Sequence, residues 1–327
     1  MDFFHHALSA FGSYAVAVAL FLFIIANLLV IWRLESLSAK GVEGTVLGTI
    51  FMPFCSGMGN MVFAWVLTRH PGSGSDVMIN CLFNNITNLT LLIGVPALIW
   101  KMSGINKKKS KAAQRAHQMG RLSLALNLVA VLFFTLITWL LASDGSLTRM
   151  DGFVFIALFV FWLCFHVYDV QKTNLLQKKS YPKSLPLEAI LLLLCAGIVV
   201  ASTDWLVQWF QQQDHRLLPK HLLGWLSGGL MVLPNALLAF YYGAKNRMDV
   251  VYTSQTGDAH ICIPLCLGIF AVFHPISMSP LLNQCLLGLM MLSAVHLFFV
   301  TFFGRLPRPI AALLVFAFGG FMFAGLS

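Results

Sequence analysis

Ten runs of about twenty mainly apolar residues follow one another along the chain, with little sequence between them. A helix needs about 20 such residues to cross the hydrocarbon core of a bilayer. The runs therefore read as spans at about 11–32, 45–68, 77–100, 119–142, 152–171, 186–209, 222–244, 250–275, 283–304 and 307–326. Inside hydrocarbon every backbone N–H and C=O must find its partner within the protein, so segments of this length are expected to be helical. The expected fold is an all-α polytopic membrane protein with ten transmembrane helices. Composition agrees: 58% of the 327 residues are hydrophobic and 10% charged, with a mean hydropathy of +0.81. A soluble domain carries roughly 25% charged residues.

Other classes fall away on the same grounds. Disorder requires low hydrophobicity and high charge. The net charge of +9 does not point to nucleic acid, because the basic residues sit in short loops between apolar runs instead of on a folded aqueous face. The longest polar stretches, Lys101 to Gly120 and Lys172 to Leu185, are too short for a soluble domain. Cys55, Cys81, Cys164, Cys195, Cys262, Cys266 and Cys285 all lie in or beside apolar runs. They read as small packing residues, since a disulfide framework belongs on extracellular loops of a small domain. Met1 to His6 lacks a positive segment, and the first run is too long for a signal-peptide core, so it is expected to stay as a membrane helix.

Charge sets the expected orientation. Lys and Arg number 17 on the side that holds the loop after span 1 and 4 on the other, the four being Arg69, Arg149, Arg216 and Lys220. Cytoplasmic loops carry the excess of basic residues, which places both termini outside. The expected location is integral to a membrane, the bacterial inner (plasma) membrane. The run Lys107-Lys108-Lys109-Ser110-Lys111 reads as a topology determinant, with anionic lipid headgroups as a second reading.

Ten spans divide five and five, and the halves resemble each other. Spans 2 and 3 carry Asn60, then Asp76, then Gly94; spans 7 and 8 carry Asn235, then Asp249, then Gly268. The Asn-to-Gly interval is 34 residues in the first half and 33 in the second. A repeat of five spans is odd, so the second must lie inverted relative to the first, and interrupted helices near the midplane mark the binding sites of many transporters built this way. Candidate interruptions are Pro53, Gly57 and Gly59 in span 2 and Gly228, Gly229 and Pro234 in span 7. The expected division is a first repeat at 1–171 with signature spans at 45–100, a cytoplasmic linker at 172–185, and a second repeat at 186–327 with signature spans at 222–275.

At these residues the chain resembles the cation/calcium exchanger superfamily, which includes the sodium/calcium exchangers. The resemblance rests on Cys55-Ser56-Gly57-Met58-Gly59-Asn60 with Asn80 to Asn88, and on Leu230-Met231-Val232-Leu233-Pro234-Asn235 with Ser254 to Cys262. It implies ten spans in two inverted repeats and an ion site between spans 2, 3, 7 and 8. The family's two signature glutamates, which hold the divalent ion, fall on Asn60 and Asn235, and its second-half asparagines fall on Ala259 and Cys262. Asp258, at a family serine position, is the carboxylate that remains deep in the signature spans. Calcium wants six to eight oxygens, commonly with several carboxylates, and an asparagine keeps an acceptor oxygen without the charge.

The expected function is a secondary transporter of this fold with altered ion or substrate selectivity, handling a monovalent cation or coupling to protons in place of calcium. The alternative is a non-transporting binding, regulatory or assembly subunit on the same scaffold. Candidate ion- or substrate-binding residues are Ser56, Asn60, Asn84, Asn85, Thr87, Asn88, Asn235, Ser254 and Asp258. Three asparagines within Asn84 to Asn88 are unusual in an apolar span, although polar residues there can also serve as interhelical bonds of about 0.6 kcal/mol. Asp258 lies eight residues into span 8, about 12 Å along a helix. An ionisable residue at that depth is a functional candidate by default, and the structural alternative is a carboxyl bonded to neighbouring Thr or Asn groups. His166 and His296 read as satisfied packing residues. His260 with Cys262 and Cys266 gives a weak zinc pattern, and no motif of nucleophilic, metalloprotease or phosphate-loop catalysis is present. No enzyme activity and no resident cofactor are expected, with Na+ or H+ as coupling ion and the lipid bilayer and a small ion or solute as partners.

Overall fold

A computed structural model describes residues 2–39, 52–100, 111–177, 185–212 and 222–326. It is nearly all helix. A short α1 (Asp2–Ser9) precedes α2 (Ala15–Ala39), α3 (Met52–Leu67), α4 (Gly74–Thr87), α5 (Ile93–Ile99), α6 (Lys111–Leu141) and α7 (Arg149–Gln177). The second half holds α8 (Leu185–Gln212), α9 (Leu223–Met231), α10 (Leu233–Ala244), α11 (Met248–His260), α12 (Leu267–Phe273), α13 (Pro280–Phe303) and α14 (Arg308–Leu326). Among the described residues eight helical stretches are long and apolar enough to cross a membrane. The shorter apolar α3 and the 29-residue α7 stand where spans 2 and 5 are expected. Phe161, Phe316 and Phe323 are more than two-thirds exposed, a surface that suits hydrocarbon and would be a liability in water.

Loop contacts alternate between two faces. β1 (Ser146–Leu147) pairs antiparallel with β2 (Ile276–Ser277), and the His274 ring contacts the Thr68 carbonyl at 2.8 Å, so the loops after spans 2, 4 and 8 share a face. On the opposite face Arg121 Nη2 donates to the Thr301 carbonyl at 3.0 Å, and the Trp100 ring packs against Gly243.

Packing respects an exchange of the two halves. α2 packs on α8 and α6 on α13, each span against its own counterpart in the other repeat. α4 packs on α9 where α11 packs on α3, and α5 on α14 where α12 packs on α7. Gly94 and Gly268 show the same symmetry at atomic level. A Cβ on Gly94 would meet Val315 Cγ2 at 3.0 Å and the Ala311 carbonyl of α14 at 3.1 Å. One on Gly268 would meet Ile156 Cγ1 and Phe155 Cβ of α7, both at 3.1 Å. Only a side chain without Cβ lets these helices approach so closely.

The helix interruptions differ from expectation. Span 7 breaks at Val232, between α9 and α10, with Pro234 in the first turn of α10. In span 2, α3 runs unbroken from Met52, so Gly57 and Gly59 lie inside a continuous helix and serve close approach instead. The stronger breaks are in spans 3 and 8. A π-helical segment at Asn88–Leu92 separates α4 from α5, and a second at Ile261–Cys266 separates α11 from α12. Ile263 there has φ −127° and ψ 111°, outside helical values, next to Pro264. Proline removes a donor from the ladder and clashes with the preceding turn, and π turns concentrate at functional sites.

Candidate functional site

The two π segments and the α9–α10 break bring the polar side chains of spans 3, 7 and 8 to one point. At that point lies Asp258, fully buried near the C-terminal end of α11. Its Oδ2 accepts from the Asn235 amide at 2.8 Å, from the Asn88 amide at 2.9 Å and from the Asn84 amide. Asn84 also donates to Cys262 Sγ at 3.0 Å. Oδ1 faces span 2, where a Cβ on Gly57 would sit 3.0 Å away. Glycine at that position lets the carboxylate lie against the backbone of α3. Gly57 and Asn60, three residues apart, share one helical face, and Asn60 is fully buried.

The offset of 174 residues that pairs Gly94 with Gly268 also pairs Asn84 with Asp258. These two counterparts bond each other, so the exchange axis of the repeats runs through the carboxylate centre. The two halves are chemically unequal there: the first contributes amides and the second contributes the charge.

Amide nitrogens turned toward a carboxylate leave their carbonyl oxygens turned elsewhere. Among the described residues, the side-chain oxygens of Asn60, Asn84, Asn85, Asn235 and Gln255 are buried without a hydrogen-bond donor. The Asn60 nitrogen is likewise unpartnered. A buried acceptor left unsatisfied costs about 1–3 kcal/mol, and native structures keep few without a reason such as a bound ion. These buried oxygens and the Asp258 carboxylate are groups of the kind that a cation preferring oxygen would take.

The remaining sequence candidates divide. Asn85 donates to the Ala259 carbonyl at 3.5 Å, a long contact across the repeats. Thr87 turns its hydroxyl back to the Phe83 carbonyl of its own helix at 2.7 Å, away from the carboxylate. Ser254 accepts from Gln255, which also donates to the Asn235 carbonyl at 3.3 Å, so it touches the centre at one remove. The side chains of Ser56 and His166 lie outside the described ones. Gln255, Gly57 and Cys262 belong to the site although they were not among its candidates. Gln255 stands between two candidates, Ser254 and Asp258, and a polar residue buried in an apolar span was the signal available. Asn80 lies one turn from Asn84 and donates to Ser227 Oγ of α9 at 3.1 Å. Among the described residues no group of three or more His, Cys, Asp or Glu side chains is placed to hold a metal ion.

An all-helical membrane protein with inverted repeats, paired helix interruptions and an oxygen-rich centre at their crossing has the architecture of a secondary transporter. The family model described as sodium/calcium exchanger protein matches residues 11–168. Solved structures of the sodium-calcium exchanger NCX_Mj share the fold over the whole chain. One, soaked with 2.5 mM Na+ and 1 mM Sr2+, superposes with a TM-score of 0.68 at 17% identity, covering 99% of each chain. Another, soaked with zero Na+ and Ca2+, gives 0.66 at 17% identity over 100% of both chains. No curated protein is a significant match to the sequence. The first half of the chain thus resembles the sodium/calcium exchanger family, and the solved structures show that the whole chain shares its fold.

Proposed function

We propose that the protein exchanges a monovalent cation, with Na+ as the leading case, for a proton at Asp258, and that it does not exchange calcium. The observation that carries this reading is a single buried carboxylate held by amide N–H groups, in spans whose buried amide oxygens at Asn60, Asn84, Asn85, Asn235 and Gln255 lack donors. One negative charge neutralises one monovalent cation, whereas a divalent ion would keep an uncompensated charge in a medium where charge is expensive. The positions that resemble the family's glutamates, Asn60 and Asn235, keep oxygens and give up both charges.

The exchange step balances simply. Na+ leaves as the carboxylate takes a proton, and the proton leaves as Na+ returns, so the site stays neutral in either state. Asn84, Asn88 and Asn235 donate to the ionised carboxylate, while the side-chain oxygens of Asn60, Asn84, Asn85, Asn235 and Gln255 are available to the ion. A non-transporting subunit on this scaffold has no need for such a centre and would be expected to fill it with apolar side chains. The proposed orientation has both termini outside and the inner (plasma) membrane as location, supported by the bias of basic residues to one side. The proposed boundary between the two repeats falls within 172–185.

Titration of the purified protein with NaCl and CaCl2 tests this reading. The expected result is saturable Na+ binding that Asp258→Asn abolishes, together with no tight Ca2+ binding. Tight Ca2+ binding to the unmodified protein would overturn the charge argument.

A further inference from the structure

Two buried histidines outside the carboxylate centre tie the interrupted spans to the α6–α13 pair. His260 of α11 accepts from Trp162 Nε1 at its Nδ1, 3.2 Å away, which leaves Nε2 to donate to the Asn127 carbonyl of α6 at 3.0 Å. His296 of α13 makes the counterpart link: its Nε2 lies 2.6 Å from the Leu89 carbonyl, and its Nδ1 lies 3.2 Å from the Tyr252 hydroxyl. A carbonyl can only accept, so Nε2 carries the proton. Nδ1 of the neutral ring then accepts from Tyr252. His296 is fully buried, and Tyr252 nearly so.

The positions of its two partners give His296 its significance. Leu89 lies in the first π segment, one residue after Asn88, whose amide reaches Asp258 Oδ2 at 2.9 Å. Tyr252 lies on α11, the helix that carries Asp258. One imidazole therefore joins the two elements whose relative placement sets the Asn88–Asp258 contact. The i→i+5 pattern of a π turn also disturbs the carbonyl ladder, and in a membrane interior a released carbonyl needs a donor from a neighbouring helix. His296 places a donor on a carbonyl of the π segment whose Asn88 amide binds the carboxylate.

We propose that His296, oriented by Tyr252, is a positioning residue for the cation site: it fixes the first π segment against α11 and so sets cation affinity without touching the ion. This inference rests on the monovalent-cation reading of the Asp258 centre. Partners that orient ligands in this way change ion affinity by about 10–100-fold when removed.

The test measures binding of radiolabelled Na+ to the full-length protein in detergent, alongside folded yield by size-exclusion chromatography. His296→Leu should raise the half-saturating Na+ concentration by about 10-fold or more, with the number of sites unchanged. His296→Gln, whose side-chain amide can still donate to the Leu89 carbonyl, should recover most of the affinity. Tyr252→Phe, which removes one hydrogen bond and keeps the imidazole, should give a smaller rise. If Asp258→Asn abolishes Na+ binding while His296→Leu and Tyr252→Phe leave half-saturation unchanged, His296 is a packing residue and the inference is overturned. If Asp258→Asn itself leaves binding intact, the reading of the site falls first and this inference with it. Should His296→Leu fail to fold, Tyr252→Phe decides: a rise in half-saturation supports the proposal, and no change overturns it.

Discussion

Alanine at Gly57 should push apart the two helices that meet at the carboxylate. A Cβ there would lie 2.6 Å from Ile261 Cγ2, 2.9 Å from Ile261 Cβ and 3.0 Å from Asp258 Oδ1. Carbon atoms settle at about 3.5–4.0 Å, so the contact with Ile261 overlaps by roughly 1 Å and cannot be absorbed without moving α3 or the second π segment. Overpacking of this kind costs about 1–3 kcal/mol. Ile261→Ala alone opens a cavity and should cost about 2–5 kcal/mol. In the double variant the added methyl enters the space left by Ile261, so the pair should be destabilised by less than the sum of the singles. The expected coupling is of order 1–2 kcal/mol, within the range for residues in contact. Thermal melting in detergent reads the stability, and Na+ titration reads the site. The double variant should melt below wild type, though by less than the two single shifts added together, and stay weak for Na+, because the contacts with Asp258 Oδ1 and with the Cβ that alanine keeps at 261 remain. Strictly additive singles, or Gly57→Ala with wild-type melting and wild-type Na+ affinity, would refute this close approach of α3 to the carboxylate.

Restoring both acidic side chains, Asn60→Glu together with Asn235→Glu, should raise Ca2+ affinity in calorimetry, since two added charges offset the dehydration of a divalent ion; unchanged Ca2+ binding would count against the charge argument. A membrane-impermeant maleimide should label Ser110→Cys and Ser146→Cys from opposite sides of the membrane. Labelling of both from one side would contradict the ten-span topology.

The architecture was legible because a bilayer leaves few choices. A run of twenty apolar residues can satisfy its backbone only as a helix, and ten such runs with matched Asn and Gly spacing already imply inverted repeats. The centre was legible for a related reason: Asn84, Asn85, Asn88 and Asp258 are conspicuous in apolar sequence, and three of them do meet around one carboxylate oxygen. The breaks were less legible. Glycine serves both for kinks and for close approach, and Gly57, Gly59 and Gly228 turn out to face Ile261, Met231 and Phe83 across helix interfaces. The π segments depend on how Asn88–Leu92 and Ile261–Cys266 pack against four other spans, and no local pattern announces that. A hydroxyl among asparagines, Thr87 reads as a ligand in sequence. Helical threonines, however, often bond the carbonyl four residues back, as this one does. The buried histidines show the same limit, since only the tertiary structure shows that His296 reaches Leu89 and Tyr252 together.

The most direct test of the account is flux through the purified protein in proteoliposomes that report internal pH and take up radiolabelled Ca2+. An outward Na+ gradient should drive proton entry in the unmodified protein, and Asp258→Asn should lose it while keeping its elution profile and folded yield. The charge lost in that variant is worth about 4 kcal/mol for opposite charges about 4 Å apart at an effective dielectric constant of 20. That corresponds to roughly a thousandfold in affinity, well beyond what a packing change would mimic. Na+-driven proton movement that disappears with Asp258, without Ca2+ uptake, is the predicted result. Na+-driven Ca2+ uptake by the unmodified protein, or proton flux that survives Asp258→Asn, would contradict it.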